Sequence, residues 1–313
     1  MKNVHVVFSS FGSPVSNPLI DSLRDFETSR ICITSEEFAE SWANIDGVSV
    51  YRARGNPVGN TGKFYRYAGR KLGSLRGIDF YSDLRKVRRF RDSLCVPHNL
   101  RHYLYLEALW ELPEEDFVFL CDSRDLIFQV SPDFLSDLLI RFGGISVFDE
   151  GDFYFKGGAP QDFKSSPANV NWVRSLLNDS IIPDELLSFG VKILNSGFIA
   201  GTVGELKILL EATTRLLSDS REGGWSLLDQ AALNVAVYCD PKVRNLCKIY
   251  QNGEIVLNMC GVVSNEATLA NGVLKINERT IPVIHQFDRF GNYSHGSKLV
   301  LDRRKYMIHY SKS

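Results

Sequence analysis

The sequence predicts an α/β fold, a mostly parallel central sheet flanked by helices. Two observations carry this. Short apolar runs with strand character alternate with helical patterns through the first half, as β-α-β units require. One of those runs stops abruptly at acidic residues, and ligands of parallel sheets gather at the carboxyl ends of strands. A chain of 313 residues can bury the core such a sheet needs, as one large domain or two closely packed halves.

The elements follow in order. Residues 4–9 read as a strand, 18–26 as a helix, 30–34 as a strand, 36–42 as a short helix and 48–52 as a strand. A helix over 100–112 carries Tyr103, Leu106 and Trp110 at helical spacing and leads into a strand over 117–121. The second half is less regular. A helix at 132–141 and a strand at 145–148 precede a stretch at 151–166, rich in Gly, Asp, Lys and Phe, that reads as a long loop beside a binding face. Residues 191–201 form a strand containing Asn195-Ser196-Gly197. The helix after it, from 203 to about 217, begins with capping-box spacing between Thr202 and Glu205. Another helix runs from 227 to 238, and short strands at 255–257, 273–276 and 282–285 are separated by Asn-Gly and Gly turns.

Composition narrows the function classes. With 36 basic and 37 acidic residues the chain as a whole is no polyanion binder, and no recognition motif supports nucleic acid as a partner. The first residues lack the apolar length of a signal peptide, and no stretch approaches the roughly 20 apolar residues of a membrane span. Six scattered cysteines without a Cys-x-x-Cys pair read as free thiols of a cytoplasmic protein. Two basic segments stand out: residues 63–91 hold ten Lys/Arg against Asp79 and Asp83, and the tail 298–313 holds five against Asp302. Each reads either as a solvated surface or as attraction to phosphate-bearing ligands or an anionic membrane.

The most informative stretch is Phe117-Val118-Phe119-Leu120-Cys121-Asp122-Ser123-Arg124-Asp125-Leu126-Ile127-Phe128. An apolar run ends in two carboxylates flanking an arginine and becomes apolar again. Unpaired buried carboxylates are costly. A hard cation such as Mg²⁺ or Mn²⁺, itself holding phosphate oxygens, would account for them. The plain alternative is an Asx-turn in which Asp122 pairs with Arg124.

Three further motifs follow in order: Leu194-Asn195-Ser196-Gly197-Phe198-Ile199-Ala200-Gly201, Trp225-Ser226-Leu227-Leu228-Asp229-Gln230, and Val283-Ile284-His285-Gln286-Phe287-Asp288-Arg289. Together with the acidic strand end they resemble GT-A-fold glycosyltransferases, in particular the glycogenin-like and related galactosyltransferases, over roughly residues 3–290. The chain departs from their Asp-x-Asp pattern in placing two residues between the acids. The resemblance implies a GT-A-like fold, with a Rossmann-like nucleotide-sugar half at 1–130 and an acceptor-binding, metal-completing half at 131–297. With the basic tail 298–313 these would form one compact catalytic domain. It also implies a nucleotide-sugar donor, UDP-sugar favoured, and a glycan or glycolipid acceptor, in bacterial surface polysaccharide or glycolipid synthesis. The enzyme would be cytoplasmic, with the basic tail making peripheral contact with an anionic membrane.

Residue by residue, the resemblance gives Asp125 to the metal, and Asp122 to the metal or to ribose and sugar hydroxyls. His285 completes the site, which favours Mn²⁺ with Mg²⁺ as the alternative; Gln286, Asp288 and Arg289 stand behind it. Asn195 and Gly197 would line the donor sugar. Asp229 would be the catalytic residue, as base or as hydrogen-bond partner of the sugar, with Gln230 beside it; inversion would need a carboxylate base, for which Glu150 and Asp149 are further candidates, and retention would need none. Arg101 would reach the diphosphate or sugar. The plain alternatives are a hydrogen-bonded core histidine, a strand bend at Asn195 and Gly197, a Ser226–Asp229 helix cap, and a surface arginine. Competing functions are a sugar-phosphate nucleotidyltransferase, against which Ser9-Ser10-Phe11-Gly12-Ser13-Pro14 counts because it has one glycine and no Lys or Arg, and a non-catalytic sugar-nucleotide or glycan-binding module.

Overall fold

The computed structural model describes residues 2–14, 17–60, 63–64, 67, 88–151, 162–179, 181–222, 224, 226–259, 267–270, 273–276 and 278–286. The expected loop at 151–166 falls mostly outside them. So do Asp288, Arg289, the tail 298–313 and most of the basic segment 63–91.

The fold is α/β, with a seven-stranded, mostly parallel central sheet flanked by helices. Its strands are β1 (Val4–Ser9), β2 (Ser29–Ser35), β3 (Val48–Ala53), β4 (Phe117–Asp122), β6 (Ile145–Asp149), β7 (Leu194–Thr202) and β8 (Cys247–Tyr250), in the order β3-β2-β1-β4-β7-β6-β8. All neighbours pair parallel except β7, which is antiparallel to both β4 and β6. Strand side chains alternate between two apolar layers, as the period of two demands. Val7, Ile33, Val118 and Leu120 face one layer; Val6, Phe8, Cys32, Phe119 and Phe198 face the other.

The first layer is closed by helices α4 (Pro97–Leu109) and α8 (Val203–Asp219), through Leu100, Leu104, Leu206 and Leu210. The second is closed by α1 (Pro18–Leu23), α2 (Glu36–Ala43) and α5 (Pro132–Ile140), through Leu19, Trp42 and Leu135. Helix α8 starts with the expected capping box between Thr202 and Glu205. Helix α4 starts three residues earlier than the apolar spacing indicates, because Pro97 takes the first turn, where its missing N–H is no loss. It also ends earlier, at Leu109, leaving Trp110 62 % exposed beneath the Lys207 ammonium rather than in the core.

Elements that the sequence pattern missed are short, or begin at or just after a proline. They include α3 (Arg88–Leu94), α6 (Pro167–Leu177), α7 (Asp184–Leu187), α10 (Pro241–Arg244) and β8. Arg88 and Arg91, two of the basic-segment cations, form internal ion pairs with Glu107, and Arg91 also with Asp92, tying α3 to α4. Helix α9 (Asp229–Cys239) packs on α8 and α6. A small second sheet, β5 (Leu126–Phe128), β13 (Val283–His285) and β9 (Val256–Asn258), docks at the carboxyl end of β4. A third, β10 (Ala267–Ala270), β11 (Val273–Ile276) and β12 (Arg279–Thr280), is held by the Gln129 amide, which bonds the backbone of Leu274 and Ile281. No helix among the described residues is long and apolar enough to cross a membrane.

Candidate functional site

Strand β4 ends at Asp122, residues 123–125 bend the chain, and Asp125 immediately precedes β5. Because β5 runs antiparallel to β13 with Leu126 opposite His285, the histidine is carried to the two acids. Ligand atoms of Asp122, Asp125 and His285 lie within 4.8 Å of one another. His285 Nε2 is 3.5 Å from Asp122 Oδ2 and 3.6 Å from Asp125 Oδ1. Charge-assisted hydrogen bonds are shorter, about 2.7–2.9 Å. Ligands about 2 Å from one ion, in contrast, sit roughly 3–3.5 Å apart.

The histidine's tautomer follows from its other nitrogen. Asn258 Nδ2 donates to the Asp149 carbonyl at 2.7 Å, so its Oδ1 must accept, and it takes Nδ1–H of His285 at 2.7 Å. In the neutral form Nε2 would turn a lone pair toward the two carboxylates, and a cation would stabilise the three converging acceptors. Gly197 leaves room for it. A Cβ there would collide with His285 Nε2 and Cε1 and lie 2.6 Å from Asp122 Oδ2. Two carboxylates and a neutral imidazole suit Mn²⁺ better than Mg²⁺.

Gly197 reaches this place through an irregularity in β7. The pairing of β6 shifts from Val147↔Ile199 to Phe148↔Asn195, so residues 196–198 bow away from β6. The bow is held by Asn195, whose Oδ1 accepts the Gly197 N–H at 2.6 Å. The expected bend at Asn195 and Gly197 is therefore present, and it makes space for the acids and the histidine.

Arg101 is no surface residue: it is 3 % exposed. Its Nη1 pairs with Asp122 Oδ1, and its Nη2 donates to Asp229 Oδ2 at 2.6 Å and to Ser196 Oγ and O at 3.0 and 3.1 Å. Asp122 thus pairs with Arg101 rather than Arg124, which is exposed. Asn99 fixes the partner helix, donating to the Ser226 carbonyl and accepting from Leu228 N–H, which sets Asp229 over Arg101. The Ser226–Asp229 cap does not form. The helix begins at Asp229 after Leu228, and the Ser226 hydroxyl donates to Glu222 instead. Burial opposes ionisation of Asp229, but Arg101, helped by His98, His102 and the Ser196 hydroxyl, outweighs it and holds the carboxyl well below the usual carboxylate range.

Two clefts meet at Asp122. The first, about 440 Å³, lies over the loop after β1 and is lined by Ser9, Ser10, Gly12, Ser13, His98 and Arg124 as well as both acids. Hydroxyls, open backbone and cations there suit an anion. The second, about 290 Å³, lies on the far side of Asp122 and shares His98 and Arg101 with the first. In it Glu150, 5 % exposed, accepts from Gln230 Nε2 at 2.8 Å and from Asn195 and Gln286 amides at 3.4 Å each. Gln286 takes a left-handed backbone (φ 59°), a strained conformation for a residue with a side chain, beside the histidine.

Of the residues singled out in the sequence, Arg101, Asp122, Asp125, Asn195, Gly197, Asp229, Gln230, His285 and Gln286 border one or both clefts, and Asp288 and Arg289 lie outside the described residues. Sequence reasoning missed Asn258, His98 and Ser196. A lone Asn in a short strand and a His in the first turn of a helix carry no pattern, whereas Ser196 was visible inside its motif. No family model matches the chain, and no curated protein matches it.

Proposed function

We propose that the chain is a metal-dependent glycosyltransferase of GT-A-like fold, moving a sugar from a nucleotide-sugar, UDP-sugar favoured, to a hydroxyl of a glycan or glycolipid. The observation that carries this is the convergence of Asp122, Asp125 and His285 at the junction of an anion-suited cleft and an amide-lined one. Mn²⁺ held by those three would neutralise the charge that develops on the leaving nucleoside diphosphate.

The chain's own groups do the rest. Ser9, Ser10 and Ser13 offer donors to the donor's phosphates or ribose, and Arg124 adds a cation. Arg101 holds Asp122 by one oxygen, which leaves the other for the metal, and aligns Asp229 with it; it acts as a positioning residue rather than a diphosphate ligand. With its carboxyl kept ionised beside a guanidinium, Asp229 is a weak base. Its better role is to accept a sugar hydroxyl hydrogen bond near the anomeric carbon. The acceptor oxygen bonds to that carbon as the bond to the phosphate oxygen breaks, and the acceptor hydroxyl gives its proton to the departing diphosphate, or to a carboxylate such as Glu150 if the configuration inverts.

The test is nucleoside diphosphate release from a panel of nucleotide-sugars with and without Mn²⁺. Metal-dependent release of UDP or GDP, abolished in Asp125→Ala and His285→Ala, supports the transferase. Pyrophosphate release from a sugar phosphate and a nucleoside triphosphate would mark a nucleotidyltransferase, and chelator-insensitive binding without turnover a binding module.

A further inference from the structure

Strand β7 lacks a neighbour on one side where it enters the site. The residue of β7 paired with the end of β4 is Phe198, opposite Cys121, and β4 stops at Asp122. Leu194, fully buried, stands at the other end of the bow. Beside it, the Ile193 carbonyl accepts from Glu150 N–H across to β6. By the alternation of an antiparallel pair, Leu194 then turns its own N–H and C=O away from β6, toward the side where β4 no longer runs. Both are buried backbone groups that need partners.

Asn234 supplies both. It lies on α9, fully buried, one turn beyond Gln230. Its Oδ1 accepts Leu194 N–H at 2.9 Å, and its Nδ2 donates to the Leu194 carbonyl at 2.9 Å and to the Gln230 carbonyl at 2.8 Å. A carboxamide carries the donor and the acceptor of a peptide unit, so this side chain does for Leu194 what an adjacent strand would do. Aspartate at this position would lack the donor, and leucine both groups.

The residues that follow Leu194 are the ones the site uses. Ser196 Oγ donates to Asp229 Oδ2 at 2.9 Å, and Gly197 lies against His285 and Asp122. Asn234 itself lines neither cleft.

We propose that Asn234 is a positioning residue: by anchoring Leu194 to the turn of α9 that carries Gln230, it sets where Gly197 meets the two acids and His285. It rests on the transferase reading only in expecting a metal ion to respond to that placement.

Amide hydrogen exchange and Mn²⁺ titration calorimetry on the full chain test this, with Asn234→Leu set against Val237→Ala. Val237 is a buried residue of the same helix, and its truncation loosens packing while removing no hydrogen bond from Leu194. Asn195 Oδ1 protects the Gly197 N–H. Exchange of that proton should quicken about 10-fold or more in Asn234→Leu relative to Val237→Ala, and Mn²⁺ affinity should fall about 10-fold. Asn234→Gln keeps the amide on an arm one methylene longer and serves if the leucine variant does not fold; both effects should appear there at about three-fold or more. Gly197 exchange equal to that of Val237→Ala in the Asn234 variants overturns the proposal, whether or not Mn²⁺ binds. Faster Gly197 exchange with no Mn²⁺ bound by any form, wild type included, would sink the metal reading alone and leave the role of Asn234 standing.

Discussion

Arg101 and Asp122 divide one carboxylate between two tasks: Oδ1 faces the guanidinium and Oδ2 faces His285. The same guanidinium reaches Asp229, so one side chain sets the geometry on both sides of the cleft junction. Removing it therefore has consequences for charge as well as shape.

In Arg101→Met the buried carboxyl of Asp229 loses its main partner, and a loss of about 3–5 kcal/mol at neutral pH is expected. The pH dependence gives the sign. In the native chain the depressed Asp229 contributes stability that is complete above the unfolded value of about 4 and is lost as pH falls through the lower folded value. In the variant, burial outweighs what His98, His102 and the Ser196 hydroxyl still contribute and raises the carboxyl, so stability falls as pH rises from about 4 to 7. Urea midpoints at both ends check this; an equal deficit at pH 4 and pH 7 would rule out the ion pair as its source.

Gly197→Ala places a methyl against His285 and Asp122. Overpacking of this kind costs about 1–3 kcal/mol. Mn²⁺ affinity, followed by electron paramagnetic resonance, should fall at least about 10-fold while the protein remains folded. Wild-type affinity in this variant would mean that the ion sits elsewhere.

Asn258→Leu keeps the volume of the side chain and deletes the acceptor that holds Nδ1–H of His285. A drop of about 10–100-fold in metal affinity is expected, with His285→Ala as the reference for complete loss. Titration calorimetry distinguishes the two.

Thr202→Ala removes one half of the capping box that starts α8. It should cost about 1 kcal/mol in urea denaturation and leave Mn²⁺ binding unchanged, since the cap lies at the opposite end of β7 from Gly197.

Six of the seven central strands were legible because each is an apolar run ended by a polar signal, and Asp122 is the plainest of these; β8 was not. The two-residue gap between the acids, which departs from the Asp-x-Asp pattern, is explained by β5. Asp125 belongs to the approach of a second, three-residue strand, too short for any periodicity to show, and the turn between the strands aims both acids at His285. Arg101 was legible as a candidate but not in its role. Nothing in a helix of mixed polarity says that an arginine will be buried between two carboxylates from distant segments. Glu150 was legible as a candidate base, whereas Asn258 owes its place to the pairing of β9 with β13, which leaves no local trace.

The reversed strand β7 also sets a schedule. It must enter between β4 and β6, both of which leave the ribosome before it, and β13 must then follow from near the end of the described chain. A nascent chain therefore carries Asp122 and Asp125 long before Gly197 and His285 exist to meet them, so closure of the central sheet and the meeting of both acids with His285 belong to the last, slowest contacts of folding.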